Sequence, residues 1–151
     1  MPSLTERFAD LFAHGEQRGG FFARAAADAR VLLAGQRESV VLHGDMHHGN
    51  VLDFGDAGWL AIDPKGIVGD PIFDFLNLFC NPTQAVAVRQ GRLARQVAVV
   101  ADAAAYDPDT LLRWLIAWSA LSATWYELDG LPADHALTVG EEAERLLGRN
   151  R

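Results

Sequence analysis

The chain has 151 residues and a net charge of −7, because 20 acidic residues outnumber 13 basic ones. Half of the residues are hydrophobic and 22% are charged, a composition typical of globular proteins and not of disordered ones. The acidic excess argues against a sequence-independent nucleic-acid binder, which needs a basic face. No segment is apolar for long enough to span a membrane, and the first residues do not form a secretory signal. We therefore expect a cytoplasmic protein that binds neither nucleic acid nor membrane.

Two helices are predicted before position 40. Apolar residues recur at helical spacing from Leu4 to Gln17, and the pair Gly19-Gly20 ends this helix. An alanine-rich segment from Phe21 to Ala34 follows as the second helix. The pattern then changes to a short β-branched run at residues 39–43, which predicts a strand.

The rest of the chain predicts a β-hairpin and several more helices. Residues 51–53 and 59–62 are short apolar runs on either side of a glycine-containing turn, the pattern of a hairpin. Helices are predicted from Pro71 to Phe79, from Ala85 to Ala105, after Asp107-Pro108, and from Asp134 to Leu147. We expect one α+β domain over residues 1–151, mainly helical, with a single strand cluster between positions 40 and 63.

The polar residues that indicate chemistry surround this strand cluster. Phosphoryl transfer from a nucleoside triphosphate needs a carboxylate that takes the proton of the acceptor hydroxyl, and oxygen ligands that hold Mg²⁺. A protein-kinase catalytic loop supplies them as His-x-Asp, an Asn five residues after the Asp, and a second Asp beyond a hairpin. His43, Asp45 and Asn50 have this spacing, and Asp63 follows the predicted hairpin.

A second triplet imitates the kinase pattern without its spacing. Asp53-Phe54-Gly55 spells the kinase Asp-Phe-Gly sequence, but it begins only three residues after Asn50. No hairpin fits between them, so Asp53 cannot return to a metal from the far side. We therefore predict the second metal ligand at Asp63 and place the triplet in the hairpin turn.

The segments 43–50, 59–66 and 69–71, which read HGDMHHGN, WLAIDPKG and GDP, together resemble one family. They are similar to the aminoglycoside/hydroxyurea antibiotic-resistance kinases, the streptomycin 6-phosphotransferase-like branch of the aminoglycoside phosphotransferases. The resemblance covers essentially the whole chain. It implies the large, C-terminal lobe of a protein-kinase-like fold, with a small β-hairpin at the catalytic loop.

The resemblance also implies roles for individual residues. Asp45 is then the catalytic base, and Asn50 and Asp63 are the Mg²⁺ ligands, with ATP as co-substrate. His43 anchors the loop. Asp74 is the carboxylate that braces the catalytic loop through its backbone amides.

The acceptor site is less sharply defined by the sequence. Aromatic residues of the helix after Pro108 recur at helical spacing and are first expected to form a core stripe. The alternative hypothesis is that the end of this helix binds the acceptor through Trp125, Tyr126, Glu127 and Asp129. Carboxylates there would suit a polycationic aminoglycoside, which an acidic chain attracts. By resemblance the acceptor is a hydroxylated small molecule, foremost an aminoglycoside such as streptomycin, with hydroxyurea as the other acceptor attached to the family.

A metallohydrolase is the rival enzyme hypothesis. His43, His47, His48, Asp45 and Asp63 carry imidazole and carboxylate groups that in principle bind Zn²⁺. The two other histidines lie far from this cluster in sequence, and a zinc site leaves the Asn and hairpin spacing unexplained.

Two further features have structural interpretations. Cys80 precedes an Asn-Pro pair and is expected to be a buried apolar residue, not a nucleophile. Arg89, Arg92 and Arg95 are expected to form the solvated face of one helix.

The only lysine is Lys65, and it lies downstream of Asp45. Kinase-like enzymes take a phosphate-binding lysine from a strand-rich small lobe that precedes the catalytic loop. Here 42 residues precede His43 and they predict helices, so no nucleotide-binding residue of that kind is identified. We expect a C-terminal lobe without its N-terminal nucleotide-binding lobe. A non-catalytic remnant or acceptor-binding module is therefore the second hypothesis, with self-association through the face that normally meets the small lobe.

Overall fold

The structure, a computed structural model, describes residues 1–148, and helices dominate it. The helices are Leu4–Arg7 (α1), Ala9–Arg18 (α2), Gly20–Ala34 (α3), Phe73–Cys80 (α4), Gln84–Ala87 (α5), Arg92–Ala104 (α6), Pro108–Leu128 (α7) and Asp134–Leu147 (α8). The strands are Val40–Leu42 (β1), Val51–Asp53 (β2), Trp59–Ala61 (β3) and Ile67–Gly69 (β4). Within this part of the chain, no helix has the length and hydropathy needed to cross a membrane.

Helix α7 lies at the centre of the core and packs against α2, α3, α4, α6 and α8. Its N-terminus is fixed as predicted, with Asp107 as the N-cap and Pro108 in the first turn. Trp114 and Trp118 are buried, which confirms a core role for the first part of the aromatic stripe. The ring of Trp118 meets that of Phe73 on α4 edge to face, with the centroids 5.3 Å apart. This contact fixes α4, and with it one wall of the site, against the core.

The strands form two small antiparallel sheets. β2 pairs with β3 as the predicted hairpin, with Val51 opposite Ala61. β1 pairs with β4, so that Leu42 lies opposite Ile67. β4 was not predicted, because a strand of three residues, one of them a glycine, is too short to show an alternating pattern. The strand cluster therefore extends beyond position 63.

The N-terminus of the chain joins the second sheet. The Val68 backbone N–H donates to the Pro2 carbonyl oxygen at 2.9 Å, next to a parallel bridge between Ser3 and Val68. Ser3 then caps α1 in a capping box with Glu6, each side chain accepting from the other's backbone N–H. These contacts fix the position of α1 at the edge of the strands.

Two predicted helices are interrupted. The helix predicted from Leu4 to Gln17 is divided at Phe8, and the one predicted from Ala85 to Ala105 is divided before Gly91, which has a φ of 69°. Because of the second break, the three arginines expected on the solvated face of one helix do not all lie on one helix. Arg89 lies in the turn before α6, and Arg92 donates to the carbonyl oxygens of residues 79 and 81, at 3.3 and 2.8 Å. These bonds satisfy carbonyls at the end of α4, so Arg92 joins two helices.

Candidate active site

The predicted catalytic loop begins where β1 ends, and one carboxylate shapes its first turn. Asp74, in the first turn of α4, accepts hydrogen bonds from the backbone N–H groups of His43 and Gly44, each at 2.8 Å. Gly44 has a φ of 81°, and a Cβ at this position would lie 2.7 Å from the Ile67 side chain. The chain therefore needs glycine here, both for its backbone conformation and for its contact with β4.

His43 ties the start of the loop to the segment after the hairpin. Its Nδ1 accepts from the Asp45 N–H at 3.3 Å, so in the neutral ring the proton lies on Nε2, which donates to the Ile62 carbonyl oxygen at 2.7 Å. The His43 carbonyl oxygen in turn accepts from the Lys65 N–H at 2.7 Å. Both ring nitrogens are thus used in holding Asp45 and the 62–65 segment together.

Asp45 points into a cavity and is held there by an amide. Asn77 Nδ2, one turn after Asp74 on α4, donates to Asp45 Oδ1 at 3.1 Å. Lys65 Nζ lies 3.8 Å from Oδ2, and His47 Nε2 lies 3.9 Å from Oδ1. The carboxylate is about one-third exposed, so it has a fixed orientation and an open side.

Asn50 lies directly behind Asp45. Its Nδ2 donates to the Asp45 carbonyl oxygen at 3.0 Å, and the residue is 8% exposed. The Asn50 carbonyl oxygen accepts from the Ile62 N–H at 2.9 Å, which links the loop to the end of the hairpin. Among the described residues, no donor contacts the side-chain oxygen of Asn50, so this oxygen is available to a ligand.

Asp63 occupies an unusual backbone conformation next to this loop. Its φ is 56°, in the left-handed region that a residue with a Cβ rarely adopts. Lys65 Nζ donates to Asp63 Oδ2 at 2.8 Å. This hydrogen bond and the charge of Lys65 lower the pKa of Asp63, and the same contact raises the pKa of Lys65. Both groups are therefore charged across the neutral pH range.

A cavity of about 550 Å³ opens beside Asp45. α7 contributes Trp118, Trp125 and Tyr126 to its wall, and α8 contributes His135. The structure thus brings two of the four suggested acceptor residues to the side of the cavity opposite the catalytic loop.

The other two suggested acceptor residues lie elsewhere. Glu127 is engaged by His14 Nε2 at 2.7 Å and by the Arg18 guanidinium at 3.0 Å. Although burial raises the pKa of Glu127, hydrogen bonds from Arg18 and His14 more than offset that effect and lower it. Asp129 is exposed at the C-terminal end of α7. Neither carboxylate lines the cavity, because the helix turns their positions away from it.

The comparison with protein families decides the identity of the chain. Residues 1–130 match the profile of the aminoglycoside/hydroxyurea antibiotic resistance kinases. The chain belongs to this family. The family assignment made from the catalytic-loop motif is therefore confirmed.

Three curated relatives carry kinase or phosphotransferase names. The chain is 47% identical to streptomycin 3''-kinase of Klebsiella pneumoniae, over 95% of the chain and 57% of that protein. It is 32% identical to hydroxyurea phosphotransferase of Kitasatospora aureofaciens, over 99% of the chain and 40% of the relative. It is 31% identical to streptomycin 6-kinase of Streptomyces griseus, over 88% of the chain and 42% of the relative. The chain thus spans about half the length of these relatives. No solved structure matches it.

In this member of the family, the structure adds residues that the sequence did not single out. Lys65, noted only for its position, lies between Asp63 and Asp45. Asn77 follows Asp74 by three residues on one helix, a spacing that places both on the same face and that could have indicated it. Arg7 lines the cavity from α1, 38 residues before Asp45, and no local pattern indicates that contact.

The structure does not assemble the rival zinc site. Within residues 1–148, no three His, Cys, Asp or Glu side chains lie where they could hold a metal ion together. His43 uses both ring nitrogens in backbone hydrogen bonds, and His47 Nδ1 accepts from the Gly49 N–H at 3.0 Å. Phe54 and Gly55 lie in the hairpin turn, as predicted, whereas Asp53 is the last residue of β2 and accepts from the Gly55 N–H.

Proposed function

We propose that this chain is the catalytic-loop-bearing lobe of an ATP-dependent phosphotransferase that acts on an alcohol group of a small molecule. The observation that carries the proposal is the position of Asp45, whose carboxylate is held by Asn77 and faces the cavity. The preferred acceptor is an aminoglycoside such as streptomycin, in accordance with the names of two relatives. Antibiotic resistance by O-phosphorylation is the biological role that we infer. The kinase-like lobe architecture and the cytoplasmic location stay predictions.

Asp45 acts as the general base in this proposal. Asn77 holds one carboxylate oxygen, so the other is free to accept a hydrogen bond from the acceptor hydroxyl. As the hydroxyl oxygen forms its bond to the γ-phosphorus of ATP, the bond between that phosphorus and the β,γ-bridging oxygen breaks. The hydroxyl proton passes to Asp45 and ADP leaves with the bridging oxygen. Positioning of the two reactants is the main contribution that the protein makes.

The donor atoms near Asp45 fit Mg²⁺. This ion prefers one or two carboxylate or amide oxygens, together with phosphates and water. The unpaired side-chain oxygen of Asn50 and the exposed carboxylate of Asp63 are such ligands. A bound Mg²⁺ neutralises charge on the transferring phosphates. Lys65 now occupies one oxygen of Asp63, so we expect its ammonium group to leave that oxygen for the phosphates when the metal complex binds.

The cavity supports binding of the acceptor by aromatic surface rather than by the suggested pair of carboxylates. Trp125 and Tyr126 line it, and the Trp125 Nε1–H donates to Asp10 at 3.0 Å, which fixes the ring. Glu127 and Asp129 lie outside the wall. The net charge of −7 still favours the approach of a cationic acceptor over long distance.

A second candidate function is an acceptor-binding module that does not turn over nucleotide. The observation that favours it is that α1, α4, α7 and α8, together with the loop at Asp45, supply the described cavity wall. Such a module would bind streptomycin and leave ATP unchanged.

The experiment measures ADP formation by the chain with Mg-ATP and streptomycin. We expect streptomycin-dependent ADP formation that Asp45→Ala abolishes. Asp53→Asn is the matched control, because Asp53 is a nearby carboxylate at the end of β2, and it should retain the activity. If streptomycin raises the melting temperature, Mg-ATP does not, and no ADP forms, the binding module replaces the phosphotransferase.

A further inference from the structure

We propose that Arg7 and Lys65 form a binding site for a tetrahedral phosphate oxyanion on the cavity side of Asp45. The inference rests on the proposed function only in naming the transferred phosphoryl group as one source of that oxyanion. Free inorganic phosphate is the other source, and the chemistry that the site recognises is the same.

Arg7 is a charged side chain without a polar partner in the cavity wall. The guanidinium carbon lies 4.8 Å from the centre of the Trp125 ring, a stacked cation–π arrangement. The Arg7 side chain makes no hydrogen bond or ion pair with any residue that the structure describes, and its Nε is buried. Burial lowers the pKa of Arg7, while the charge of Asp45 acts in the opposite direction. A desolvated guanidinium with free donors is stabilised by an oxyanion that accepts them.

The backbone holds Arg7 at this place. Arg7 is the last residue of α1, whose first turn is fixed by the capping box of Ser3 and Glu6. Leu4 of the same helix is fully buried against Gly69 of β4. The guanidinium is therefore presented from a short helix that is attached at both its cap and its apolar face, and stacking on Trp125 fixes its plane.

Lys65 brings a second positive charge to the same side of Asp45. Its ammonium lies 2.8 Å from Asp63 and 3.8 Å from Asp45. Arg7 and Lys65 are close enough for the charge of one to oppose that of the other. Asp45 is the only acidic residue in the described cavity wall. Asp63 pairs with Lys65 from outside the wall, so within the wall Asp45 is the one carboxylate beside Lys65 and the unpaired Arg7 guanidinium, which leaves Arg7 free to receive an added anion.

The same charges restrict how an acceptor enters. An ammonium or guanidinium group placed beside Arg7 would meet a like charge at a desolvated position. A phosphate at this point instead receives the planar donor fork of Arg7 and the ammonium of Lys65. The structure therefore favours a phosphate next to Asp45, with the cationic groups of the acceptor directed elsewhere.

The test is a titration of the chain with inorganic phosphate, followed by phosphorus NMR. We expect saturable binding that Arg7→Gln weakens about tenfold, as loss of one charged donor pair implies. Lys65→Gln should also weaken it. Arg30→Gln is the matched control, because Arg30 stacks on Phe12 at 4.4 Å outside the cavity, and it should bind as the wild type does. Wild-type affinity in Arg7→Gln, or no saturable binding in the wild type, overturns the proposal.

Arg7→Lys and a competition experiment complete the test. Arg7→Lys retains the charge, so its affinity for phosphate should lie between those of the wild type and Arg7→Gln. If Arg7→Lys melts at the wild-type temperature but loses as much affinity as Arg7→Gln, the result counts against an oxyanion site. If the site binds the transferred phosphoryl group, streptomycin carrying a phosphate monoester should displace inorganic phosphate. If the site binds free phosphate, inorganic phosphate should bind and the phosphorylated antibiotic should not displace it. Phosphate binding without ADP formation would support this site and contradict the proposed function. ADP formation without phosphate binding would support the proposed function and overturn this site.

Discussion

At the scale of single residues, Asp74 helps to fix the shape of the predicted catalytic loop. It lies about 30 positions after the loop, yet it accepts two of the loop's backbone N–H groups at 2.8 Å. Asp74→Ala leaves both donors without a partner in a half-buried place, so we expect a loss of about 2 kcal/mol in the free energy of unfolding. Urea unfolding followed by tryptophan fluorescence measures it.

Asp74→Asn serves as the control for that substitution. Its amide retains one acceptor oxygen, so the loss of stability should be smaller than in Asp74→Ala. Equal stability of Asp74→Ala and the wild type would show that the carboxylate does not brace the loop.

Cys80 gives a prediction that depends on pH. Although the residue is partly exposed, burial of its thiol raises the pKa from 9.0 to about 12. The folded thiol therefore keeps its proton at pH values where the unfolded one has lost it, and the difference destabilises the fold as pH rises from 9.0 towards 12. Stability should fall more steeply above pH 9 in the wild type than in Cys80→Ala.

Thiol reactivity checks the same environment at neutral pH. A disulfide reagent at pH 8 should modify Cys80 much more slowly in the folded protein than in urea, because the thiolate is the reactive form. Similar rates in both states, or identical pH profiles for the wild type and Cys80→Ala, would contradict a buried, protonated thiol.

The positions of Asp45, Asn50 and Asp63 could be predicted from sequence because fixed spacings along one loop and one hairpin determine them. The contact of Arg7 with the cavity could not, because it depends on how the N-terminus pairs with β4. Glu127 was suggested for the acceptor by its charge alone. Helix α7 instead directs it to His14 and Arg18, partners more than 100 positions away in sequence.

At the scale of elements, tertiary contacts decide where helices end. Helix starts with local signals, such as Asp107-Pro108, were predictable, since capping is a short-range interaction. The break before Gly91 was not, because the surrounding residues favour helix and the turn is held by bonds from Arg92 to the end of α4. Propensity along the chain carries no information about such a contact.

The contact between α1 and β4 gives an element-level prediction. A Cβ at Gly69 would overlap the buried side chain of Leu4. Gly69→Ala should therefore displace α1 and lower the free energy of unfolding by about 2 kcal/mol. It should also weaken phosphate binding, because α1 carries Arg7.

Gly35→Ala is the control for this prediction. Gly35 has a φ of −94°, and the nearest atom to its added Cβ is the Val31 carbonyl oxygen at 3.3 Å. Its stability should change little. If Gly69→Ala is as stable as Gly35→Ala, α1 does not depend on close packing against β4.

At the scale of the whole molecule, the β2–β3 hairpin and the strand β1 expose apolar side chains. Trp59 is 70% exposed, and four further apolar side chains are exposed on the strands and turn beside it: Val41, Leu52, Phe54 and Leu60. Exposed apolar patches of this kind favour association. We expect the isolated chain to self-associate through these exposed side chains.

Light scattering as a function of protein concentration tests the association. The double substitution Trp59→Ser and Leu60→Ser should reduce the apparent mass towards that of one chain. Val99→Ser, which removes an equally exposed apolar residue from α6, should not. A monomeric wild-type chain would contradict the prediction.

The proposed phosphotransfer site is tested most directly by mass spectrometry of streptomycin after incubation with the chain and Mg-ATP. We predict that the wild type and Asp53→Asn add one phosphoryl group to the antibiotic, and that Asp45→Asn adds none. Phosphorylation by Asp45→Asn at the wild-type rate, or the absence of any phosphorylated product with the folded wild-type chain, would contradict the account.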